Sequence, residues 1–226
     1  FIQDYVETID VKTKKVLTAS GLSFNYSYVV LATGSVPNCL GVPGIREHAL
    51  TFHSLEDVDR LKKTINKQKD CQGETKGLVV VGGGATGVEL ACKLADLVDA
   101  NTQIHLIESG QHALPYGNKF NQRNLQKALE KRHVEIHLET RVLEIGSDKI
   151  LCASYKNEEP KTFSLPHKGV IWTAGTTATT PNLCNEFPLK RGRILINKYL
   201  QIIGFKDALA LGDAACLAKG SWPLNA

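Results

Sequence analysis

Methionine is absent from the sequence, and no apolar run approaches the roughly 20 residues that a helix needs to span a bilayer. Nothing at its start has the pattern of a secretory signal peptide. The first residues, FIQDYVE, instead have the pattern of a strand that is already under way. We therefore expect the chain to be an internal fragment of a longer protein.

Closely spaced cysteines and histidines are also missing. The six cysteines form no C-x-x-C pair and no spacing typical of a metal site, and the seven histidines form no H-x-x-x-H pair. We therefore expect no bound metal, and we expect free, mostly buried thiols that suit a reducing compartment. The cysteines are Cys39, Cys71, Cys92, Cys152, Cys184 and Cys216.

The charge is small and dispersed. The net charge of +4 comes from basic residues spread along the chain, with KTKK at 12–15 and KRH at 131–133 as the densest runs. A nucleic-acid-binding surface needs a stronger basic cluster, so we expect these residues to be solvated surface and no nucleic-acid partner. With 42% hydrophobic and 22% charged residues, the 226-residue chain has the composition of a globular protein of one or two domains.

The most informative stretch is LVVVGGGATGVELA, at 78–91. An apolar run of strand length leads into G-x-G-x-x-G, and a helical pattern follows. The first glycine of this motif allows a tight turn, the second lets the backbone approach a pyrophosphate, and the third lets the helix pack against the strand. The order predicts a dinucleotide site with the phosphates at the N-terminus of the helix. The residues predicted to line the site are Gly82, Gly84, Ala85, Thr86 and Gly87.

A second strand pattern, QIHLIE, ends in Glu108, which lies 21 residues after Gly87. The dinucleotide fingerprint has an acid at about 20 residues, where its carboxylate accepts hydrogen bonds from a ribose hydroxyl. A carboxylate repels the 2′-phosphate of NADPH, and no lysine or arginine follows Glu108 before Lys119. We therefore predict NADH rather than NADPH. The alternative is that the glycines form an ordinary turn and that Glu108 is a surface acid.

Three other segments share one pattern, an apolar strand that ends in small residues. They are YVVLA before Thr33 and Gly34, GVIWT before Gly175, and ALAL before Gly212 and Asp213. Ligands of α/β folds bind at the carboxyl ends of strands, so these residues are candidates for ligand contact. The run YVVLA predicts a strand buried on both faces. Asp213 could alternatively cap the helix that follows it.

Strand and helix patterns alternate between 76 and 138, which predicts a parallel sheet with helical crossovers. Antiparallel strands are predicted between 142 and 165. A hairpin is predicted between 1 and 19. A helix is predicted to begin after Ser54 and to end in an exposed loop at 66–75. The fold class is therefore α/β.

Three motifs carry a resemblance to a known family: VVLATGSVPN at 29–38, VVVGGGATGVELA at 79–91 and ALALGDAA at 208–215. In this order they resemble the pyridine nucleotide–disulfide oxidoreductases, flavoproteins with two dinucleotide sites. The resemblance covers the whole chain and implies FAD and NADH as cofactors. It implies a Rossmann-like NAD-binding domain at 41–167, inserted into an incomplete FAD-binding domain at 1–40 and 168–226.

The resemblance also assigns residues to the flavin. Thr33 and Gly34 match the segment that passes beside the flavin, and Gly175 ends the second segment of the same kind. Asp213 matches the acid that holds the ribityl chain of FAD, and Gly212 allows the close approach. A carboxylate that accepts hydrogen bonds from hydroxyl groups suits that role.

Within the family, GVELA at 87–91 and IWTAGT at 171–176 resemble the type II NADH dehydrogenases, which are single-subunit NADH:quinone oxidoreductases. This implies hydride transfer from NADH to the flavin and then electron transfer to a quinone. Glu89 matches an acid near the nicotinamide and flavin that is tied to quinone reduction. An acid in the first turn could instead favour the helix dipole. PLNA at 223–226 resembles the start of a flavin-contacting helix, although Asn225 replaces its usual threonine.

The resemblance implies a membrane quinone as electron acceptor and a location on the cytoplasmic or organellar-matrix side. It is compatible with a homodimer and with peripheral membrane association through parts absent from this chain. Three alternatives stay open: a demethylnaphthoquinone or phylloquinone reductase, a disulfide or sulfide:quinone reductase, and a redox sensor similar to apoptosis-inducing factor. The lack of a close cysteine pair argues against the thioredoxin reductase arrangement.

Overall fold

A computed structural model describes residues 1–69, 76–99, 101–180 and 184–218, which divide between two units. Unit 1 combines Phe1–Val36 with Thr176–Ala226, and unit 2 is Pro37–Gly175. The elements in chain order are β1 (Val6–Asp10), β2 (Lys15–Thr18), β3 (Ser23–Asn25), β4 (Val29–Leu31), β5 (Ser35–Pro37), α1 (Ile45–His48), β6 (Ala49–Thr51), α2 (Leu55–Lys69), β7 (Lys76–Val81), α3 (Ala85–Leu97), β8 (Thr102–Ile107), α4 (Lys119–Lys131), β9 (Glu135–His137), β10 (Thr140–Ile145), β11 (Lys149–Ser154), β12 (Lys161–Pro166), β13 (Gly169–Trp172), β14 (Thr176–Ala178), β15 (Leu189–Lys190), β16 (Arg193–Ile196), β17 (Ala208–Ala210), a 3-10 turn (Gly212–Ala214) and β18 (Ala215–Leu217).

Unit 2 is built on a parallel sheet with the strand order β6-β13-β7-β8-β9. The central strand β7 is buried on both faces. Leu78 and Val80 pack in one cluster with residues of α2, α3 and α4. Val79 and Val81 pack in another with residues of β10 and β11. A strand covered on both faces has no polar side, which explains its continuous apolar run. The predicted α/β class with a parallel sheet is confirmed.

A three-stranded antiparallel sheet, β10-β11-β12, covers the second face of unit 2, as the sequence predicts. Its inward side chains include Ile145, Ile150 and Cys152, which are nearly inaccessible to solvent. Burial raises the pKa of the Cys152 thiol to about 12, so this cysteine is protonated and unreactive at neutral pH. The five cysteines among the described residues are free, as expected, but only Cys152 and Cys184 are buried and the other three are partly exposed. Cys71 lies outside the described residues.

The change of unit falls elsewhere than the sequence suggests. Strand β13 was assigned to the segment at 168–226, but it pairs in parallel with both β6 and β7 in the sheet of unit 2. The units divide after Gly175, and at the first crossing they divide after Val36. The N–H of Asn38 donates a 3.1 Å hydrogen bond to the carbonyl of Gly175, which joins the two ends of unit 2.

Unit 1 contains several small sheets. The predicted hairpin forms as β1 and β2, and β3 extends it. Strands β4 and β17 pair in parallel, β5 pairs with β14, and β15, β16 and β18 form a third sheet. The core of the unit unites residues from both parts of the chain, including Ile9, Leu31, Ile194, Ile196 and Ala210.

Two expectations about individual elements are wrong. Strand β4 is not buried on both faces: Leu31 is 3% exposed, but Val30 is 55% exposed because no described residue covers its face. Helix α2 does not end before residue 66 but continues to Lys69. Residues 70–75 of the predicted loop and the PLNA segment at 223–226 lie outside the described residues. None of the helices in the described ranges has the length and apolar character to cross a membrane.

Candidate functional site

The glycine loop between β7 and α3 has the predicted form. Gly82 adopts a φ of +111°, which side-chain-bearing residues rarely adopt. Its N–H donates a 2.8 Å hydrogen bond to the carbonyl of Ile107, so the loop is tied to the last residue of β8. Gly84 precedes α3 and has no side chain to cap the helix. No atom lies within 4 Å of the place where its Cβ would be. This open helix N-terminus is suited to an anionic group.

The third glycine is the point where α3 packs on the strand. A Cβ on Gly87 would lie 1.8 Å from the carbonyl oxygen of Gly82 and 2.7 Å from Oγ1 of Thr173. Thr173 itself donates a 2.9 Å hydrogen bond to the carbonyl of Val81. Only glycine fits this contact, as the motif predicts. Ala85 and Thr86, between the second and third glycines, are exposed at the start of the helix.

Glu108 extends across the glycine loop from the end of β8. Its Oε2 accepts a 2.6 Å hydrogen bond from the N–H of Gly83, and its Oε1 accepts one of 2.6 Å from the N–H of Gly110. The hydroxyl of Ser109 donates a third, of 3.2 Å, to Oε1. Glu108 is therefore not a free surface acid. Its carboxylate is held beside the helix N-terminus, where it can accept further hydrogen bonds from ligand hydroxyls.

Shortly after Glu108 in the sequence, the chain forms part of the wall of a cavity of about 550 Å³. The cavity lies between residues 112–113 and helix α4, and its lining includes His112, Lys119 and Arg123. From the sequence, no basic residue before Lys119 is expected near Glu108 to favour NADPH. In the structure, helix α4 brings two basic side chains to a cavity that the segment following Glu108 also lines.

Glu89 is exposed on α3. The first turn of this helix contains no acidic residue, because Glu89 falls just beyond it. The helix dipole acts mainly within the first turn, so it gives a weaker reason for an acid here than the sequence suggested. The redox role of Glu89 stays a prediction.

In unit 1, the parallel strands β4 and β17 are paired, so the segments that follow them begin side by side. Strands β4 and β17 are in register up to Leu31 and Ala210, and the N–H of Leu211 donates a 3.0 Å hydrogen bond to the carbonyl of Leu31. The segments ATGS and LGDA therefore leave the same edge of the sheet. Gly34 and Gly212 have φ values of +68° and +67°, which favour glycine.

Asp213 is fixed by a residue that the sequence did not single out. The hydroxyl of Ser35 donates a 2.7 Å hydrogen bond to Oδ2 of Asp213, and Ser35 is 7% exposed. Asp213 lies within a 3-10 turn and not at the N-cap of a helix, so the alternative capping role does not apply. The signal for Ser35 was its place directly after Thr33 and Gly34.

A second unpredicted residue supports the same segment. The hydroxyl of Thr179, just after β14, donates a 2.6 Å hydrogen bond to the carbonyl of Thr33. Gly175 has a φ of +98° and is exposed at the end of unit 2. The structure thus brings together Thr33, Gly34, Gly212 and Asp213 in unit 1, and the glycine loop and Glu108 in unit 2.

The comparisons with known proteins identify the family of the chain. The family model described as pyridine nucleotide-disulphide oxidoreductase matches residues 1–224. Demethylphylloquinone reductase NdbB of Synechocystis is 30% identical over 222 residues, covering 95% of this chain and 54% of that protein. An external alternative NADH-ubiquinone oxidoreductase of Yarrowia lipolytica mitochondria is 24% identical, covering 84% of this chain and 37% of that protein. The chain thus spans about half or less of the length of these relatives.

Solved structures support the fold. NDH2 of Plasmodium falciparum in complex with NADH has a TM-score of 0.82 and 18% identity, covering 96% of this chain and 50% of that chain. The sulfide:quinone oxidoreductase of Aquifex aeolicus has a TM-score of 0.80 and 18% identity, covering 96% and 52%. Since the family model matches nearly the whole sequence and its characteristic segments are formed, the chain belongs to the pyridine nucleotide–disulphide oxidoreductase family.

Proposed function

We propose that the protein carrying this chain is an FAD-dependent NADH:quinone oxidoreductase of the type II NADH dehydrogenase kind. The observation that carries the proposal is the carboxylate of Glu108, bonded to the glycine loop beside an open helix N-terminus. The relatives named above as quinone reductases support the acceptor class. Bound NADH supplies the hydride, and bound FAD accepts it and passes electrons to the acceptor.

Unit 2 has the features needed to hold NADH. The exposed start of α3, with no side chain at the position of Gly84, accommodates the pyrophosphate. The Glu108 carboxylate accepts hydrogen bonds from the hydroxyls of the adenosine ribose and repels a 2′-phosphate. Lys119 and Arg123, which line the cavity together with His112 and Ala113, are the basic side chains that could act against that repulsion. We expect NADH to be preferred because Glu108 is the group fixed at the loop.

Unit 1 has the features needed to hold part of FAD. The Ser35 hydroxyl fixes one oxygen of the Asp213 carboxylate and thereby orients the other toward a hydroxyl-bearing ligand. Gly34 and Gly212 have no side chain, and no atom lies within 4 Å of the place where a Cβ would be, so their backbone can approach the flavin closely. Thr33 completes this edge, and its carbonyl is held by Thr179. Hydride transfer itself needs no side chain of this chain as an acid or base.

Glu89 and Gly175 have proposed roles nearer to the reacting groups. Glu89 is exposed on α3 and is available to relay a proton to the reduced acceptor. No atom lies within 4 Å of the place where a Cβ on Gly175 would be, so the ring of a bound cofactor can approach this residue closely. We also propose that the quinone is a membrane quinone, that the protein associates peripherally with the membrane on its cytoplasmic or matrix side, and that it forms a homodimer.

The identity of the quinone gives two candidate functions. An NADH-ubiquinone oxidoreductase reduces a benzoquinone, whereas a demethylphylloquinone reductase acts on a naphthoquinone. The chain is 30% identical to NdbB and 24% identical to the Yarrowia enzyme, so a naphthoquinone should be tested alongside a benzoquinone. All of the described site residues would serve either acceptor.

The test is an anaerobic absorbance titration of the purified flavoprotein with NADH and, separately, with NADPH. We expect NADH to bleach the flavin at lower concentration than NADPH. A soluble benzoquinone or a demethylated naphthoquinone, added next, should restore the flavin absorbance rapidly. A long-wavelength charge-transfer band without recovery would instead indicate a disulfide reductase or a sensor. Absence of bleaching by either nucleotide would contradict the proposal as a whole.

A further inference from the structure

Three ligand-type side chains meet at one edge of the parallel sheet of unit 2. His105 on β8 is the register partner of Glu135 on β9, and His137 follows Glu135 by two residues. Side chains two residues apart on a strand point to the same face, and so do register partners on neighbouring parallel strands. The sheet therefore places the three side chains together, although no spacing in the sequence indicates a metal site.

The polar atoms of the three side chains lie close enough together to surround one ion. Nδ1 of His105 lies 3.1 Å from Nε2 of His137. Glu135 places one carboxylate oxygen 3.4 Å from the His105 nitrogen and the other 3.4 Å from the His137 nitrogen. Bonds of about 2.0–2.1 Å at tetrahedral angles put the ligand atoms of a zinc ion about 3.3 Å apart. To hold the ion, the two imidazoles would give up the hydrogen bond between them, and the carboxylate, whose two 3.4 Å contacts use different oxygens, would turn to bring one oxygen to the metal.

The surroundings of the cluster keep the two imidazole rings neutral. The side chains of His105 and His137 are 10% and 14% exposed. Burial lowers the pKa of both rings, so that they are neutral near pH 7, and neutral imidazole is the form that ligates metal. Glu135 supplies a negative charge and acts against this shift. The nearby Lys156 lowers the pKa of His137 further, and it opposes an added cation to some degree.

The site is partly open to solvent. The side chain of Glu135 is 54% exposed, so a water molecule can reach the fourth coordination position. The inner side is closed, because the ring of His137 packs 5.7 Å from that of Phe163, measured between centroids. Two imidazoles, one carboxylate and one water form a common ligand set for zinc.

We propose that His105, Glu135 and His137 bind one Zn²⁺ ion, with water as the fourth ligand. This proposal differs from the expectation of no bound metal, and it is separate from the proposed redox function because none of its residues belongs to either dinucleotide site. Imidazole nitrogen also suits copper and nickel, so the ion is to be established by competition at matched concentrations.

The test is zinc binding by the chelator-treated protein at pH 7.5, measured by calorimetry and by metal analysis after dialysis. We expect one Zn²⁺ per chain in the wild type and in His53→Gln, which changes an exposed histidine outside the cluster. His137→Gln should abolish stoichiometric binding. Glu135→Gln should weaken it by at least about tenfold, since even outer-shell changes cost this much.

Glu135→Gln keeps the test valid if His137→Gln does not fold, because the Glu135 side chain is half exposed. X-ray absorption at the zinc edge should show two imidazole nitrogens and two oxygens at about 2.0–2.2 Å. Sulfur ligands would overturn the proposal by pointing to the free cysteines. Wild-type binding well below one ion per chain would also overturn it, as would binding unaffected by either cluster variant.

Discussion

The N–H of Gly83 donates a 2.6 Å hydrogen bond to the carboxylate of Glu108, which joins the middle of the glycine loop to the acid at the end of the neighbouring strand. A Cβ on Gly83 would lie 2.8 Å from that carboxylate oxygen, so a larger residue at this position would clash with Glu108. The two parts of the dinucleotide fingerprint are therefore bonded to each other before any ligand binds. This arrangement fixes the direction in which Glu108 presents its remaining acceptor sites.

Glu108→Gln should weaken NADH binding. Hydrogen bonds to a charged group contribute about 1.5–3 kcal/mol, so we expect KM for NADH to rise about tenfold or more. The change in kcat should be smaller, because the carboxylate binds the ribose and not the reacting ring. The preference for NADH over NADPH should also fall, since an amide does not repel a 2′-phosphate. Steady-state kinetics with both nucleotides measure these effects.

The matched control for this change is Glu144→Gln, on an exposed position of β10. It alters the net charge equally and should leave both KM values unchanged. A similar rise in KM in the two variants would show that bulk charge, and not the position of Glu108, selects the nucleotide.

Gly84→Ala and Gly87→Ala should separate binding from stability. A methyl group at Gly87 would overlap the carbonyl of Gly82, so the free energy of unfolding should fall by about 1–3 kcal/mol. A methyl group at Gly84 meets no atom, and its cost should stay below about 1 kcal/mol. The same methyl group projects where the pyrophosphate is expected, and it should weaken NADH binding. Urea denaturation and NADH titration of both variants provide the comparison. A stable Gly87→Ala variant would contradict the packing described here.

Ser35→Ala should loosen the flavin. It removes the hydrogen bond that orients Asp213, and a hydrogen bond to a charged group corresponds to a factor of about ten or more in affinity. We expect a lower FAD content after purification and faster FAD release, followed by the rise of free flavin fluorescence. Ser27→Ala, at an exposed position before β4, is the control and should retain the wild-type rate. Equal rates of FAD release from the wild type and both variants would show that the hydrogen bond between Ser35 and Asp213 does not contribute to flavin binding.

His167 should make the protein less stable in acid. It is 5% exposed, its Nδ1 has no partner among the described residues, and Nε2 lies 3.2 Å from the carbonyl oxygen of Gly146. Burial lowers the pKa of His167 below the ordinary histidine value of 6.5. The Gly146 carbonyl and Asp148 act against this shift, whereas His48 adds to it. The folded protein therefore resists a proton that the unfolded chain accepts.

The free energy of unfolding should therefore decrease as the pH falls below about 6.5, by up to about 1.4 kcal/mol per pH unit for this group. The loss ends once the pH is below the folded-state pKa. Urea denaturation between pH 7.5 and 5 measures the slope. His167→Gln should give a shallower slope than the wild type, whatever its absolute stability, and His53→Gln should not. Parallel slopes in the wild type and His167→Gln would rule out His167 as the source.

The glycine loop could be predicted because its requirements are local. A tight turn, an open approach and a close helix contact each require glycine at one position of a short segment, and the structure has all three. The pairing of Ser35 with Asp213 could not be predicted in the same way. The two residues are separated by most of the chain, and only the parallel register of β4 and β17 brings them together.

The zinc-type cluster and strand β13 show the same limit. His105 and Glu135 become neighbours through the register of β8 and β9, which apolar patterns do not specify. The apolar run of β13 suits a buried strand in either unit, so composition could not assign it. Val30 differs in the opposite way: its apolar side chain predicts burial, but it is exposed because no described residue packs against it.

The hydrogen bond between Asn38 and Gly175 has a consequence for synthesis of the chain. Unit 2 is closed at its own ends, and all of its residues emerge from the ribosome before Thr176 does. Unit 1 is different, because β4 must wait for β17 to be made before the two strands can pair. Unit 2 can thus complete its sheet before the segment that begins at Thr176 has left the ribosome. Because unit 2 is inserted within unit 1, it can fold first, and the two parts of unit 1 can pair afterwards.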